Sequence, residues 1–86
     1  MKQKTMYQLC IQAYRYSRDR DNHLAPYGAV LNIKEVLVDM EKEYRLHTIN
    51  QLLREITWDL RGYDRKYKRV WIDFSIELAY MSMELE

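Results

Sequence analysis

Cys10 is the single cysteine, and His23 and His47 are the only histidines, so the stock of nucleophilic and metal-ligating side chains is small. A cysteine nucleophile needs a base within hydrogen-bond reach, and neither a histidine nor an asparagine lies near Cys10 in sequence. Its place on an apolar helical face marks it as a small core residue. His23 closes the stretch "DRDNH", beside Asp19 and Asp21. That spacing loosely suggests metal ligands, but clustered polar side chains in a loop more often build turns. His47 stands four residues after Glu43, on one helical face. The two make half of a metal site at most; with no second such pair, a helix-surface pair is the better account. The chain carries no glycine-rich phosphate loop, no HExxH and no nucleophile elbow. Nothing assembles a nucleophile, a base and an oxyanion hole. The expectation is a protein that is not an enzyme, with no cofactor and no metal.

Binding chemistry is better represented. The stretch "RGYDRKYKRVWIDF", residues 61–74, holds Arg61, Arg65, Lys66, Lys68 and Arg69. A helix capped by Asp64 would put Tyr67 and Trp71 on its core side, with Tyr63 close to their line. Arg65, Lys68 and Arg69 would point the other way. Aromatics and cations then do not form one stacking surface, which weakens a single-strand nucleic-acid reading. The cations still need an explanation. Four of them crowd the first turns of the helix, where the macrodipole disfavours positive charge by roughly 0.3–1 kcal/mol each. An acidic partner surface or a phosphate would favour that arrangement, and Arg15, Arg18 and Arg20 can extend it. Of opposite sign, Glu35, Asp39 and Glu43 recur every four residues as an acidic stripe.

The elements that must position these groups are helical. Met6, Leu9, Cys10, Ala13 and Tyr14 predict a helix over 3–17. "SRDRDNHLAPYGA" reads as a loop carrying Pro26 and Gly28. Asn32 and Glu35 form a capping-box pair, with Leu31 and Val36 placed as a hydrophobic staple. Ile33, Leu37, Met40 and Tyr44 continue in helical phase. Leu46, Ile49, Leu53, Ile56 and Leu60 form a displaced stripe, so the phase slips near 45–48, either at a break, where Thr48 and Gln51 make a second capping-box candidate, or within one long helix whose buried face changes there. Gly62 fits a C′ cap. Residues 65–85 form the last helix. Tyr67, Trp71, Phe74, Leu78, Met81 and Leu85 step as a heptad seam, while Ile72, Ile76, Ala79 and Met83 line nearly the opposite side. A helix apolar on two faces is central or shared with another chain.

With 86 residues the chain is expected to be one domain, 1–86. Such a domain buries only about 60–65% of its unfolded surface, so a second chain can usefully complete its core. A 48% hydrophobic and 31% charged composition argues against disorder. A net charge of +1 supplies no global field for nucleic acid or membrane. No stretch approaches a membrane span, and one cysteine suits a reducing compartment. The N-terminal stretch is interrupted by Gln8 and Gln12, unlike a signal peptide, so the cytoplasm is expected.

The expected fold class is all-α, a compact bundle of three or four helices. The alternative is an α+β, β-α-β arrangement with residues 5–16 and 69–78 as strands, because "VWIDFSIEL" alternates with period two. The expected function is a small protein-interaction module, a regulator, adaptor or inhibitor. It binds a protein partner with an acidic surface through Arg61, Arg65, Lys66, Lys68, Arg69, Arg15 and Arg18. It forms a homo-oligomer through Ile72, Ile76, Ala79 and Met83. Nucleic-acid or nucleotide binding through the basic cluster 61–69 is the alternative. The eight tyrosines support an interface, since tyrosine and arginine are enriched at interface cores.

Overall fold

The computed structural model describes residues 2–19, 25–62 and 65–85, with the backbone alone for Ala25 and residues 65–67. The protein is an all-α bundle of four helices: α1 (Gln3–Arg18), α2 (Ala25–Val38), α3 (Lys42–Asp59) and α4 (Arg65–Leu85). Among the described residues there is no strand. Residues 5–16 lie within α1 and 69–78 within α4, so the β-α-β alternative is set aside. The period-two look of "VWIDFSIEL" arises because Trp71, Phe74 and Leu78 serve one helical face and Ile72 and Ile76 the other.

Two helical hairpins, α1–α2 and α3–α4, stack so that α1 lies beside α3 and α2 beside α4. The α1–α3 pairing is parallel, since Gln3 meets Glu41, Tyr7 meets His47 and Arg18 meets Asp59. One pole of the bundle therefore gathers the ends of α1 and α3 with the starts of α2 and α4. The core is one cluster to which every helix contributes. Trp71, Tyr14 and Phe74 are its largest fully buried members, and Tyr14 meets Trp71 edge-on at 4.8 Å between ring centroids. Such a geometry suits the aromatic quadrupoles.

Several boundaries differ from the sequence expectation. α2 begins at Ala25, so Asn32 is exposed in mid-helix and caps nothing, and Leu31 is exposed rather than stapled. Pro26 is tolerated because first-turn N–H groups lack intrahelical partners anyway. The break between α2 and α3 falls at residues 39–41, before the expected 45–48. Thr48 is buried inside α3, where its hydroxyl donates to the Tyr44 carbonyl at 2.7 Å instead of capping. The buried stripe of α3 is Thr48, Ile49, Leu52 and Ile56, with Leu46, Leu53 and Leu60 half-buried. In α1, Leu9 is exposed and Ile11 is buried. Gly62 donates to the Asp59 carbonyl at 2.9 Å, but no described glycine has positive φ, so it is not a left-handed cap. α4 starts and ends where the heptad seam predicts. Arg20, Asp21, His23, Tyr63 and Asp64, and the side chains of Arg65, Lys66 and Tyr67, lie outside the described residues.

Candidate functional site: a basic and aromatic pole

The expected binding cations divide into two groups. Arg15 and Arg18, in the last turn of α1, are engaged within the fold. Arg15 clasps Glu55 of α3 through Nε and Nη2, at 2.9 and 3.1 Å. Arg18 bonds Asp19 at 3.1 Å and reaches Asp59 at 3.3 Å. The buried Tyr14 hydroxyl donates to the same Asp59 carboxylate at 2.6 Å, and Gln51 donates to Glu55 at 2.9 Å. Partial burial opposes ionisation of Glu55. The hydrogen bonds from Arg15 and Gln51, with the charges of Arg15 and Arg18, nevertheless hold its carboxyl below the usual range. This network seams α1 to α3, where a bidentate arginine pair adds geometric fixity.

Of the other expected cations, Arg61 and Arg69 are exposed. Arg54, Trp58 and Arg61 occupy the outer side of α3 and the turn after it, one helical turn apart, with Leu53 and Thr57 beside them. They line a shallow depression of about 360 Å³. Trp58 is 69% exposed, and the Arg61 guanidinium carbon lies 5.0 Å from its ring centroid. That is cation–π range. Among the described residues, Arg54, Arg61 and Lys68 have no acidic partner within ion-pair distance. Lys68 is half-buried near the start of α4. Arg69 is exposed, and its Nε lies 3.4 Å from Asp73 one turn on. The first turn of α4 has no acidic residue within it, so the dipole repulsion expected for this cluster has no relief from that turn.

Arg54 and Trp58 are not among the binding residues expected from the sequence. The available signal was phase: Trp58 falls outside the apolar stripe of Ile49, Leu52 and Ile56, with arginines four residues before and three after.

A second surface lies around the corner, between α2 and α4. A groove of about 320 Å³ is lined by Tyr27, Val30 and Leu31 of α2 and by Val70 and Phe74 of α4. The Lys34–Glu77 ion pair crosses it. Of the predicted self-association residues, Ile76, Ala79 and Met83 are exposed and Ile72 is half-buried.

The candidate chemical groups sit elsewhere. Cys10 is buried with its thiol 4.0 Å from the Ile33 carbonyl, and burial pushes its pKa up to about 11. A thiol held protonated at neutral pH is a poor nucleophile. His47 stacks on Tyr7 with centroids 5.0 Å apart. Among the described residues no three His, Cys, Asp or Glu side chains come together as a metal site, and no helix is long and apolar enough to cross a membrane. Compared with known proteins, the chain matches no family model, no curated protein and no solved structure.

Proposed function

We propose that this chain is a non-enzymatic interaction module that engages an acidic surface of a protein partner through its basic pole, with Trp58 as the anchor. The observation that carries this reading is an exposed tryptophan set between Arg54 and Arg61, neither of which has an acidic partner among the described residues. Tryptophan and arginine are, with tyrosine, enriched among interface hot spots, because a large rigid ring loses little entropy when a partner covers it and a planar guanidinium presents several donors in a fixed fork. Lys68 and Arg69 extend the positive charge, which steers an acidic surface during encounter. A regulator, adaptor or inhibitor works by such occupancy, without bond chemistry. We place the activity in the cytoplasm, where a lone unpaired cysteine is at home.

The Trp58–Arg61 stack also favours a second reading, a single-stranded nucleic acid whose bases lie on the ring. One experiment separates the two. The tagged protein is used to capture partners from extract with and without nuclease, alongside Trp58→Ala and the double variant Arg54→Gln/Arg61→Gln. A protein captured in both arms, and lost with Trp58→Ala, supports the module. Capture abolished by nuclease supports the second reading. So does an affinity whose logarithm falls with that of the salt concentration by about 0.7 per phosphate contacted. Unchanged capture by both variants refutes the assignment of the pole.

A further inference from the structure

We infer that the face shared by α2 and α4 is a docking surface for a second copy of this chain, arranged about a two-fold axis. A different surface carries this inference, and it does not depend on the acidic-partner reading.

The face has too much apolar surface to be only a solvated exterior. Tyr27, Leu31 and Val38 line the outside of α2, and Ile76, Tyr80 and Met83 that of α4, each 50–69% exposed. The spacings, four and seven residues on α2, four and three on α4, keep each set on one side of its helix. Tyr27 and Leu31 line the groove together with Val70 and Phe74, so the exposed apolar side chains of α2 continue onto α4 there. Monomeric proteins seldom leave so large a patch bare.

Charge selects the occupant. The face holds Lys34 and Arg69 with Asp73 and Glu77, two cations and two carboxylates spread over both helices. A basic or an acidic partner would meet like charge on half of these positions. A second copy turned about a two-fold axis meets the complement, because each Lys34 can face the Glu77 of the other chain and the reverse. The size is also right. Two helices side by side, roughly 20–30 Å long and about 20 Å across, present about 400–600 Å² before corrugation, approaching the ~800 Å² per partner of a standard interface. Relative to the sequence expectation, Ile76 and Met83 stay in the contact, α2 joins it, and Ala79 and Ile72 lie towards its margin.

The test is charge reversal followed by mixing. Lys34→Glu and Glu77→Lys are made separately and compared with wild type by sedimentation equilibrium. Wild type is expected to dimerise. Each reversal places like charges across the axis at both ends and weakens the dimer at least about tenfold. An equimolar mixture restores opposite charges at both positions and recovers the dimer. Circular dichroism checks that each variant is helical. If a reversal unfolds the chain, Leu31→Asp and Ile76→Asp, both at exposed positions, decide instead and should yield folded monomers. Wild type that stays monomeric at high concentration overturns the inference and leaves the face to a different occupant, such as an amphipathic helix of another protein. Variants that dimerise as wild type does, or a mixture no more associated than its parts, overturn it as well.

Discussion

The Tyr14 ring lies fully inside the core, and a buried hydroxyl must find an acceptor or carry its desolvation cost. It finds Asp59, 45 residues away in sequence, at 2.6 Å. Removing one hydroxyl from this seam leaves the ring packed and the acceptor charged. Tyr14→Phe is therefore expected to destabilise the protein by about 1.5–3 kcal/mol, the range for hydrogen bonds to charged groups, with an unchanged helical spectrum in denaturant titrations. Gly28 presents the opposite case. It lies exposed inside α2, and a Cβ added there would meet nothing within 4 Å. Gly28→Ala should stabilise by about 0.5–1 kcal/mol, measurable as a higher urea midpoint with the same slope. Individual residues were unevenly legible in the sequence. Cys10, Tyr14, Trp71, Phe74 and Leu78 follow from helical spacing and are buried. Ile11 and Leu52 are buried because α1 packs against α2 and α3, and α3 against α1, α2 and α4, which widens the apolar arc beyond the single stripe that periodicity reveals.

Helix boundaries were legible where local chemistry sets them and hidden where distant residues do. α4 could be placed from its heptad seam and the cap candidate Asp64. The α2–α3 turn could not, because it has neither glycine nor proline and is held from elsewhere. The Gln3 side chain accepts the Glu41 N–H at 2.8 Å, and Arg45 donates through Nη2 to the Val38 and Met40 carbonyls, at 3.1 and 2.7 Å. These contacts satisfy helix-end groups that would otherwise lack partners. Arg45→Ala should then destabilise the turn by about 1–3 kcal/mol, with faster amide exchange concentrated at residues 37–45. The α1–α3 seam adds a dependence on pH. Because the Glu55 carboxyl is depressed in the fold, its contribution is fully present above the ordinary carboxylate value of 4.5 and is lost as pH falls through the lowered one. Melting temperatures of wild type and Glu55→Gln should differ most above pH 4.5 and converge as the solution is acidified below it.

At the scale of the whole molecule, the two tryptophans divide the protein's tasks. Trp71 is fully buried and contacts Tyr14 and Phe74, whereas Trp58 projects from the basic pole with Arg61 over its ring. The all-α bundle, as three or four helices, and the basic tendency of the stretch 61–69 were legible in sequence. The gathering of Arg54, Trp58 and Arg61 was only weakly legible, because the one signal is that Trp58 falls off the apolar stripe between two arginines, and a lone aromatic there starts no repeating pattern. The engagement of Arg15 and Arg18 by Glu55 and Asp59 was hidden, since only the parallel packing of α1 on α3 brings those residues together. Folding and binding should therefore separate cleanly under mutation. Trp71→Ala removes a large core side chain and should cost about 3–5 kcal/mol, enough to unfold much of so small a domain. Trp58→Ala removes a side chain that meets mostly solvent, so stability should change by no more than about 0.5 kcal/mol. Fluorescence provides the check on each. In the Trp71→Phe variant the remaining emission should be red-shifted and readily quenched by acrylamide. In Trp58→Phe it should be blue-shifted and protected until the protein unfolds. If Trp58 emission is shielded in dilute, monomeric protein, the ring is covered within the chain and cannot anchor a partner. If it becomes shielded only when the captured protein is added back, the pole is the surface that binds it.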